Sequence, residues 1–438
     1  MARKIRIGLV GCGVVGTGVL EILAENGTLI ADRLGAELEV RHVVVGDPKK
    51  PRSALVPSEK VTTDVDVVLR DPEVDVVVEV MGGVDRAYSV VRGALDHGKH
   101  VVTANKALLA ERGEELLAYA ESKSLDVYYE AAVAGGIPII RVLREGLVSD
   151  RVLSLHGIVN GTSNYILTRM RQAGLGFAEA LREAQEKGYA EADPTLDVGG
   201  GDASHKLAIL ARLAFGKHVG IDDITTEGID RVSRVDMEFA QRFGYEIKSL
   251  AIARTLPDGR LDLRVHPTLV PEESALAGIH GALNAVSVHG AMVGPSLLSG
   301  LGAGAKPTAV SVVSDVVDVA RNILVDSTAR IGTATRQRRE DVPVLPIGEL
   351  VTSYYLRLTV KDRPGVLARV TTVLAAHGVS IEEMVQQRPE VAGSESSVTL
   401  VMLTHEAKEA AVRGALAEID GHDDVLAPTN VLRIEENA

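Results

Sequence analysis

The chain has 438 residues, of which 46% are apolar and only 3% aromatic. That length suits two or three domains, and cores built from aliphatic side chains favour parallel α/β architecture. A formal net charge of −13, without long runs of one sign, argues against nucleic acid or anionic membrane as the main partner. The single cysteine, Cys12, excludes an internal disulfide. With no visible signal peptide or run of about twenty apolar residues, we expect a cytoplasmic protein.

A dinucleotide-binding pattern opens the chain. Residues 5–10 form an apolar run typical of a buried strand, and Gly11, Gly13 and Gly16 follow with the spacing G-x-G-x-x-G before a helical pattern. In such a unit the first glycine permits a tight turn, the second lets backbone approach a pyrophosphate and the third lets helix pack on strand. The helix N-terminus adds positive potential. The pattern therefore predicts nucleotide binding.

The tip of the second predicted strand gives conflicting signals about the cofactor. The strand, near residues 39–45, is followed by Gly-Asp-Pro-Lys-Lys-Pro-Arg. Asp47 can accept hydrogen bonds from the ribose diol of NAD, whereas Lys49, Lys50 and Arg52 can bind the 2′-phosphate of NADP. The residues themselves leave the choice between NAD and NADP open.

Two further strands of this α/β unit are followed by candidate site residues. The strand at residues 74–80 precedes Met81-Gly82-Gly83, and the strand at residues 101–103 precedes Ala104-Asn105-Lys106. Since doubly wound sheets bind ligands at the carboxyl ends of their strands, we expect the glycines to allow close approach and Lys106 to face the site.

Two loops follow this unit. Residues 130–138, Glu-Ala-Ala-Val-Ala-Gly-Gly-Ile-Pro, form either a simple crossover or a set of main-chain carbonyls around a hard monovalent cation. From composition alone, the crossover is favoured. Residues 160–164, Asn-Gly-Thr-Ser-Asn, form a polar turn at the start of a helix, where a carboxylate or amino acid can bind.

The richest stretch chemically is residues 188–206, which contains Glu191, Asp193, Asp197, Asp202 and Lys206. A proline and a glycine triplet interrupt helix formation, which predicts a folded loop before a helix that begins near Asp202. Asp202 and Lys206 are four residues apart and project from one helix face. Taken alone, this pattern fits a capped helix with an ordinary ion pair; the neighbouring acids favour a site. The place of Asp193 before a proline suits a turn.

The rest of the chain divides into a mixed region and a small module. Residues 221–288 predict strands and short helices of an open substrate-domain sheet, and residues 299–304 predict a close-approach loop before a helix that returns to the first domain. Residues 335–346 predict a linker. From residue 354 onward the order strand, helix, strand, strand, helix, strand predicts a ferredoxin-like module, which we assign to regulation or assembly.

These motifs together resemble homoserine dehydrogenase in its bacterial form with a C-terminal ACT domain. The resemblance covers nearly the whole chain, and residues 188–206 are its most specific part. It implies NAD(P)-linked interconversion of L-homoserine and L-aspartate 4-semialdehyde, in threonine, methionine and isoleucine biosynthesis. The fold it implies has a Rossmann-type doubly wound nucleotide-binding domain (residues 1–130 and about 305–335), an α+β substrate and dimerisation domain (131–304), a linker (336–349) and an ACT domain (350–438).

The resemblance also implies roles for individual residues. Lys206 would be the catalytic proton donor, and Lys106 a second lysine touching cofactor and substrate. Glu191 and Asp202 would hold the substrate's amino group, with Asp197 in support. The residues that would line the cofactor are Gly11, Gly13, Val14, Val15, Gly16, Gly82, Thr103, Lys106, Gly188 and Gly304. Gly188 would lie at the junction of cofactor and substrate. The family also binds a structural sodium ion through main-chain oxygens, which here would be those of Glu130, Val133, Gly135 and Ile137.

Two departures from the family pattern qualify these implications. Many relatives carry arginine where Gly46 stands, so NAD use or dual use is as plausible as NADP use. In the ACT module, Gly378 stands where relatives with an amino-acid effector often have asparagine, so regulation by threonine is a hypothesis here. The resemblance also implies a homodimer or homotetramer. The alternatives are an aspartate dehydrogenase-like enzyme and a nucleotide-sensing regulator without catalysis.

Overall fold

The computed structural model describes residues 3–50, 52–53, 55–56, 58–329, 342–387 and 397–437. Residues 330–341, which include parts of the predicted returning segment and linker, lie outside the described residues. The chain divides into two compact units, one of Met1–Leu155, Asp202–Ile224 and Leu283–Asp341 and the other of His156–Gly201, Thr225–Ala282 and Val342–Ala438.

The strands are β1 (Lys4–Val10), β2 (Glu37–Val44), β3 (Val61–Thr62), β4 (Val76–Glu79), β5 (His100–Thr103), β6 (Val127–Tyr128), β7 (Val152–Ile158), β8 (Thr225–Thr226), β9 (Tyr245–Thr255), β10 (Leu261–Pro271), β11 (Leu283–Gly290), β12 (Gly294–Leu301), β13 (Val351–Thr352), β14 (Tyr354–Lys361), β15 (Ile381–Gln387), β16 (Ser397–Thr404), β17 (Ala407–Lys408) and β18 (Val425–Ile434). The helices are α1 (Val14–Leu34), α2 (Asp66–Arg70), α3 (Asp85–Asp96), α4 (Lys106–Ser122), α5 (Ile139–Arg141), α6 (Gly161–Ala173), α7 (Phe177–Glu186), α8 (Thr195–Val198), α9 (Gly201–Phe215), α10 (Arg234–Arg242), α11 (Ala305–Leu324), α12 (Val366–Ala376) and α13 (Glu409–Asp420).

The first unit contains a six-stranded sheet in the order β3-β2-β1-β4-β5-β6, and its strand pairs are parallel. This is the strand order of a doubly wound dinucleotide-binding sheet. Because the strands are covered by helices, β4 and β5 are buried along their whole length. The predicted Rossmann-type fold is confirmed.

Helix α11 contributes to the core of this sheet although it lies about 180 residues further along the chain than the last of its strands. Val312, Val316 and Val319 of α11 belong to the same buried cluster as Ile7 and Leu9 of β1. By length and composition alone α1 could cross a membrane. Some of its apolar residues pack in the core of this unit, since Val19, Leu20 and Ile22 belong to this cluster as well.

Two details of this unit differ from the sequence prediction. Lys106 is the first residue of α4 rather than part of a strand tip, because Asn105 caps the helix by accepting a hydrogen bond from the backbone N–H of Leu108. Residues 299–301, predicted as part of a loop, belong to β12, so the close-approach loop is limited to residues 302–304.

The second unit joins the C-terminal module to strands of the substrate region. Within this unit the strand order is β9-β10-β18-β14-β16-β15, with β8 beside β10. The order β14-α12-β15-β16-α13-β18 confirms the ferredoxin-like module. Its last strand pairs in parallel with β10, with Thr268 opposite Arg433 and Leu269 opposite Ile434. The sequence, which suggested a separate module, gave no sign of this pairing.

The side chains of β14 alternate between two hydrophobic clusters, so the sheet of the module has a core on each of its faces. Leu356 and Leu358 belong to a cluster built with α12 and α13. Tyr355, directly before Leu356, belongs to another cluster that contains Ile166 of α6 and Phe239 of α10. Since successive strand residues point to opposite faces, one face of the module's sheet serves its own helices and the other serves helices of the substrate region.

Two glycines in α1 provide a matched test of the α1–α11 packing. A Cβ at Gly18 would lie 2.7 Å from the carbonyl oxygen of Ala305 and 3.0 Å from the Cβ of Ala309, whereas a Cβ at Gly27 would meet no described heavy atom within 4 Å. We expect Gly18→Ala to lower the free energy of unfolding by about 1–3 kcal/mol through overpacking. Gly27→Ala should raise it by about 0.5–1 kcal/mol because alanine favours helix.

Denaturant unfolding followed by circular dichroism measures both changes. Equal effects of the two substitutions would contradict close packing of α1 on α11.

Candidate active site

The glycine loop between β1 and α1 has the geometry of a pyrophosphate cradle. Gly11 has a φ of 103°, and a Cβ there would lie 2.7 Å from the carbonyl oxygen of Val80. A Cβ at Gly16 would lie 2.3 Å from the carbonyl oxygen of Gly11. At Gly13 a Cβ would meet no heavy atom of the described residues within 4 Å, which leaves its surroundings open to a ligand. The first glycine thus makes the tight turn, the second leaves room for a ligand and the third allows close packing, as a dinucleotide-binding loop requires.

The other cofactor-lining candidates of this unit are near the same sheet edge. Val14 begins α1 and is 69% exposed, whereas Val15 packs against the core. Gly82 follows β4 with a φ of 79°, and Gly304 precedes α11 with a φ of 118°. Positive φ values favour glycine at both positions.

A buried hydrogen-bond network behind this edge was missed by the sequence analysis. Glu79 is fully buried at the end of β4 and accepts hydrogen bonds from the Thr103 hydroxyl (2.6 Å) and the Met81 backbone N–H (2.9 Å). Thr103 in turn accepts from the Asn105 backbone N–H (3.0 Å), and the Asn105 amide donates to the Gly83 carbonyl (2.6 Å). The network therefore ties the glycines after β4 to the residue that precedes Lys106.

The charge state of Glu79 is also perturbed. Burial raises the pKa of Glu79, and the hydrogen bonds from Thr103 and the Met81 backbone oppose that rise. A glutamate inside an apolar strand, Val-Val-Val-Glu, is the signal that could have found it, since glutamate is almost never fully buried without partners.

At the start of α9, Asp202 lies between two lysines. Its Oδ1 is 2.8 Å from Nζ of Lys106, and its Oδ2 is 2.7 Å from Nζ of Lys206. The Asp202 side chain is 4% exposed and that of Lys206 is 11% exposed. The i,i+4 pair predicted from the sequence is therefore one half of a three-residue cluster, which we call the lysine–aspartate centre.

The charges of this centre are unequal. Burial alone would raise the pKa of Asp202, but the ammonium groups of Lys206 and Lys106 outweigh it and hold the pKa well below its usual range. One carboxylate thus faces two ammonium groups, which leaves a net positive charge around the buried carboxylate of Asp202. Such a charge can stabilise an oxygen that becomes negative during a reaction.

Arg212 fixes the two helices that carry the lysines. From the last turn of α9 its guanidinium donates to the carbonyls of Leu109 (2.8 Å) and Ala110 (2.7 Å) in α4. Arg212 is only 8% exposed, and its Nε donates to the Val219 carbonyl at 2.8 Å. Because these bonds join α9 to the first turns of α4, they hold Lys106 and Lys206 in a fixed relation. This role of Arg212 has no local signature in the sequence.

His205, between Ser204 and Lys206, is half-buried. Burial lowers the pKa of His205, so the imidazole is neutral at neutral pH. The lysine–aspartate centre therefore gains no further positive charge from it.

In the second unit, Asp197 is the most firmly held of the predicted substrate residues. Its Oδ1 accepts from the Asn160 amide at 2.7 Å, and its backbone carbonyl accepts from the Ser163 hydroxyl at 3.0 Å. Asn160 also caps α6 by accepting from the Ser163 N–H. The polar turn at residues 160–164, predicted as a binding site, is thus the support for the loop that carries Asp197.

The other residues of this loop have simpler surroundings. Gly188 has a φ of 74° directly after α7, and Glu191 is exposed. Asp193 accepts hydrogen bonds from the backbone N–H (3.1 Å) and hydroxyl (2.6 Å) of Thr195, which makes the turn into α8. The turn-making role predicted for Asp193 agrees with this geometry.

The loop at residues 130–137, the candidate cation site of the first unit, is buried and sharply turned. Ala134 and Gly135 both have positive φ, and a Cβ at Gly135 would lie 2.6 Å from the carbonyl oxygen of Gly302. The Gly135 carbonyl accepts from the Ser311 hydroxyl (2.6 Å), and the Ile137 carbonyl accepts from the Ile139 N–H (2.8 Å). A carbonyl oxygen has a second lone pair, so these groups retain capacity for a cation.

The side chain of Glu130 is used for structure. Its two carboxylate oxygens accept from the N–H groups of Ile140 and Arg141, both at 2.8 Å, and its own N–H donates to Asp315. Burial beside Glu130 raises the pKa of Asp315 to about 8. Among the described residues no group of three or more His, Cys, Asp or Glu side chains could hold a metal ion, so a cation in this loop would depend on main-chain oxygens.

At the ribose-recognition tip after β2, Asp47 accepts from the Lys49 N–H at 2.8 Å. The Arg52 guanidinium donates to main-chain carbonyls of its own loop, those of Asp47 and Lys50. Both polar candidates thus stabilise the loop itself.

The doubly wound sheet, its glycine loop and the neighbouring lysine–aspartate centre define an NAD(P)-dependent oxidoreductase. Family models match residues 11–130 ("Homoserine dehydrogenase, NAD binding domain"), residues 138–317 ("Homoserine dehydrogenase") and residues 354–421 ("ACT domain"). The chain belongs to the homoserine dehydrogenase family, in the form with an NAD-binding domain and a C-terminal ACT domain. This confirms the predicted family and enzyme class over the aspartate dehydrogenase-like and regulator alternatives.

Relatives of full length support this membership. The chain is 43% identical to homoserine dehydrogenase of Pseudomonas aeruginosa over 99% of both chains, and 40% identical to that of Bacillus subtilis over 99% of both. Its fold is similar to a crystal structure of a homoserine dehydrogenase from Thiobacillus denitrificans, with 45% identity, complete coverage of both chains and a TM-score of 0.93.

Proposed function

We propose that Lys206 is the acid–base group of the homoserine dehydrogenase reaction, which interconverts L-homoserine and L-aspartate 4-semialdehyde. The observation that supports this role is the buried lysine–aspartate centre, in which Lys206 is 2.7 Å from a carboxylate whose negative charge is fixed. A carboxylate held in its charged form orients the ammonium group of Lys206 through a charge-assisted hydrogen bond.

When bound, NAD(P)H supplies a hydride to the aldehyde carbon. As the C–H bond forms, the carbonyl oxygen gains the electron pair of the C=O π bond, and Lys206 donates a proton to it. Lys106, on the other side of Asp202, adds a second positive charge that stabilises the same oxygen. In the reverse direction neutral Lys206 accepts the hydroxyl proton while the hydride passes from the carbon to the oxidised cofactor.

The substrate's ammonium group requires carboxylates. We assign this role to Glu191 and Asp202, with Asp197 in support and Gly188 at the junction of cofactor and substrate. Glu191 is exposed and available, and Asp197 is held by Asn160. Asp202 already binds Lys106 and Lys206, so the ammonium group of a bound substrate would compete with these lysines for the two carboxylate oxygens of Asp202.

For the cofactor we propose use of NAD, or of NAD and NADP together. Gly46 provides no side chain for a 2′-phosphate, and the guanidinium of Arg52 is engaged with carbonyls of its own loop. Asp47 retains a second carboxylate oxygen for a ribose diol. The proposed cofactor-lining residues are the glycines and valines of the β1–α1 loop together with Gly82, Thr103, Lys106 and Gly304.

Homoserine oxidation with NAD and NADP side by side tests both proposals. Native protein should turn over with NAD at a rate at least comparable to that with NADP. Lys206→Ala should lower kcat by about 10²–10⁴-fold with either cofactor, because general acid–base catalysis has that magnitude. Cofactor affinity, measured by fluorescence titration of the reduced cofactor, should change little.

Lys123→Ala is the matched control, because Lys123 is an exposed lysine just after α4 and outside the site. Retention of most activity by Lys206→Ala would contradict its role, and strict dependence on NADP would contradict the cofactor proposal.

We also propose that the main-chain oxygens of Glu130, Val133, Gly135 and Ile137 hold a structural sodium ion. Because binding to the folded state alone raises stability, we expect a higher melting temperature in sodium chloride than in choline chloride of equal concentration. Identical melting temperatures in the two salts would contradict the site.

We also propose that the protein is a homo-oligomer in the cytoplasm. Leu297 and Leu301 on β12 and Met292 before it are exposed apolar residues on one strand and its turn. Such residues are enriched where copies of a chain meet. We expect light scattering of the purified protein to give a dimer or tetramer; the monomer mass of 46.4 kDa would contradict it.

A further inference from the structure

Asn284 is a buried polar residue of the first unit that none of the roles assigned above uses. It lies on β11 and is 1% exposed, and its Oδ1 has no hydrogen-bond partner among the described residues. A buried amide oxygen without a partner is costly. The presence of asparagine at this position therefore needs an explanation other than the hydrogen bonds of its oxygen.

The side chain of Asn284 contacts the backbone at the end of β12. In the antiparallel pair of β11 and β12, Asn284 is directly opposite Gly300, which has no side chain in its way. A Cβ at Gly302, the residue that follows β12, would overlap the amide carbon, nitrogen and oxygen of Asn284. The amide of Asn284 thus occupies the space that a side chain at position 302 would need.

Gly302 and the residue before it also contact the buried turn at residues 134–137. A Cβ at Gly135 would lie 2.6 Å from the Gly302 carbonyl oxygen, and a Cβ at Gly136 would lie 2.9 Å from that of Leu301. The Gly136 N–H donates to the same Leu301 carbonyl at 3.0 Å. The backbone at residues 301–302 is therefore held by this turn and by Asn284 together.

Packing rather than backbone conformation explains the glycine at position 302. Gly302 is not one of the glycines with positive φ, whereas Gly304, two residues later, has a φ of 118°. An alanine at position 302 would therefore escape the strain that positive φ imposes on a side chain. Its cost would come from the contact between its Cβ and the amide of Asn284.

We infer that Asn284 is a positioning residue of the cofactor site, because its amide fixes Gly302 and thereby the place at which Gly304 meets the cofactor. The loop of residues 302–304 joins β12, which pairs with the strand of Asn284, to α11, which is packed in the core. Three residues between two fixed elements have little freedom, so a shift at Gly302 is carried to Gly304. The inference rests on the proposed assignment of Gly304 to the cofactor, whereas the contact of Asn284 with Gly302 does not.

A double-mutant cycle on positions 284 and 302 tests the inference, with the affinity for NADH and NADPH measured by fluorescence titration of the full-length protein. Gly302→Ala should weaken binding about tenfold, because the new Cβ and the Asn284 amide cannot occupy the same space. Adding Asn284→Ala to that variant should restore most of the affinity, because it removes the amide. Asn284→Ala alone should weaken binding by a smaller factor, since it frees Gly302 without a clash.

Gly146→Ala is the matched control for the glycine substitution, because a Cβ at Gly146 would meet no described heavy atom within 4 Å. Asn26→Ala is the control for the asparagine, because Asn26 is an exposed residue of α1. Both should bind the cofactor as the native protein does.

Steady-state kinetics of homoserine oxidation separates positioning from a general loss of stability. A variant that misplaces the cofactor should have a raised KM for the cofactor and a smaller change in the KM for homoserine. A variant that is merely less stable should have a lower kcat with both KM values unchanged, and that result for Asn284→Ala would overturn the inference. If Gly302→Ala does not fold, recovery of folding and affinity in the double variant supports the inference, and its absence contradicts it.

Gly304→Ala tests the cofactor assignment by itself, because it alters the loop at the residue assigned to the cofactor. Native affinity in this variant overturns the assignment of Gly304, and the inference with it. Weakened binding by Gly304→Ala together with native affinity in Asn284→Ala leaves the assignment in place and overturns only the role of Asn284. A loss of affinity in Gly302→Ala that persists in the double variant does the same.

Discussion

The contact between Asp202 and the two lysines determines how the rest of the site must be built. A buried carboxylate is costly unless it is paired, and here it has two cationic partners. One partner, Lys206, lies on α9 with Asp202 and the other, Lys106, begins α4, so α4 and α9 must be held at fixed positions. Arg212 provides this by binding carbonyls of α4 from α9, and the Glu79 network provides it at the start of α4.

The same arrangement explains why the cofactor edge and the lysines are mechanically connected. Asn105 is at once the cap of α4 and the donor to the Gly83 carbonyl. Any movement of the glycines after β4 is therefore transmitted to the residue before Lys106. Since hydride transfer requires cofactor and substrate within a fraction of an ångström of their reactive geometry, a rigid connection of this kind is of direct use to the reaction.

The sequence predicted those features that depend on local chemistry. The glycine spacing, the i,i+4 relation of Asp202 and Lys206 and the order of strands and helices in the ACT module all follow from periodicity and backbone freedom. The approach of Lys106 to Asp202, 96 residues away, depends on tertiary packing and has no local signature. The same is true of Arg212 binding to α4 and of Asn160 binding to Asp197. Glu79 could be predicted in part, because the sequence shows a glutamate in an apolar strand but does not identify the groups that bind its carboxylate.

The register of β18 on β10 depends on buried ion pairs as well as on backbone hydrogen bonds. Only two residue pairs define this register, which is little to distinguish it from a slipped one. Arg433 of β18 meets Glu227 beside β8, and Glu435, directly after β18, meets Arg264 of β10 and Arg254 of β9. Desolvation offsets much of the attraction within such pairs, so they are weak evidence of stability. A slip by one residue would, however, leave several buried charges without partners, at a cost of about 3–5 kcal/mol for each broken pair. The ion pairs therefore select one alignment of the ACT module on the substrate region.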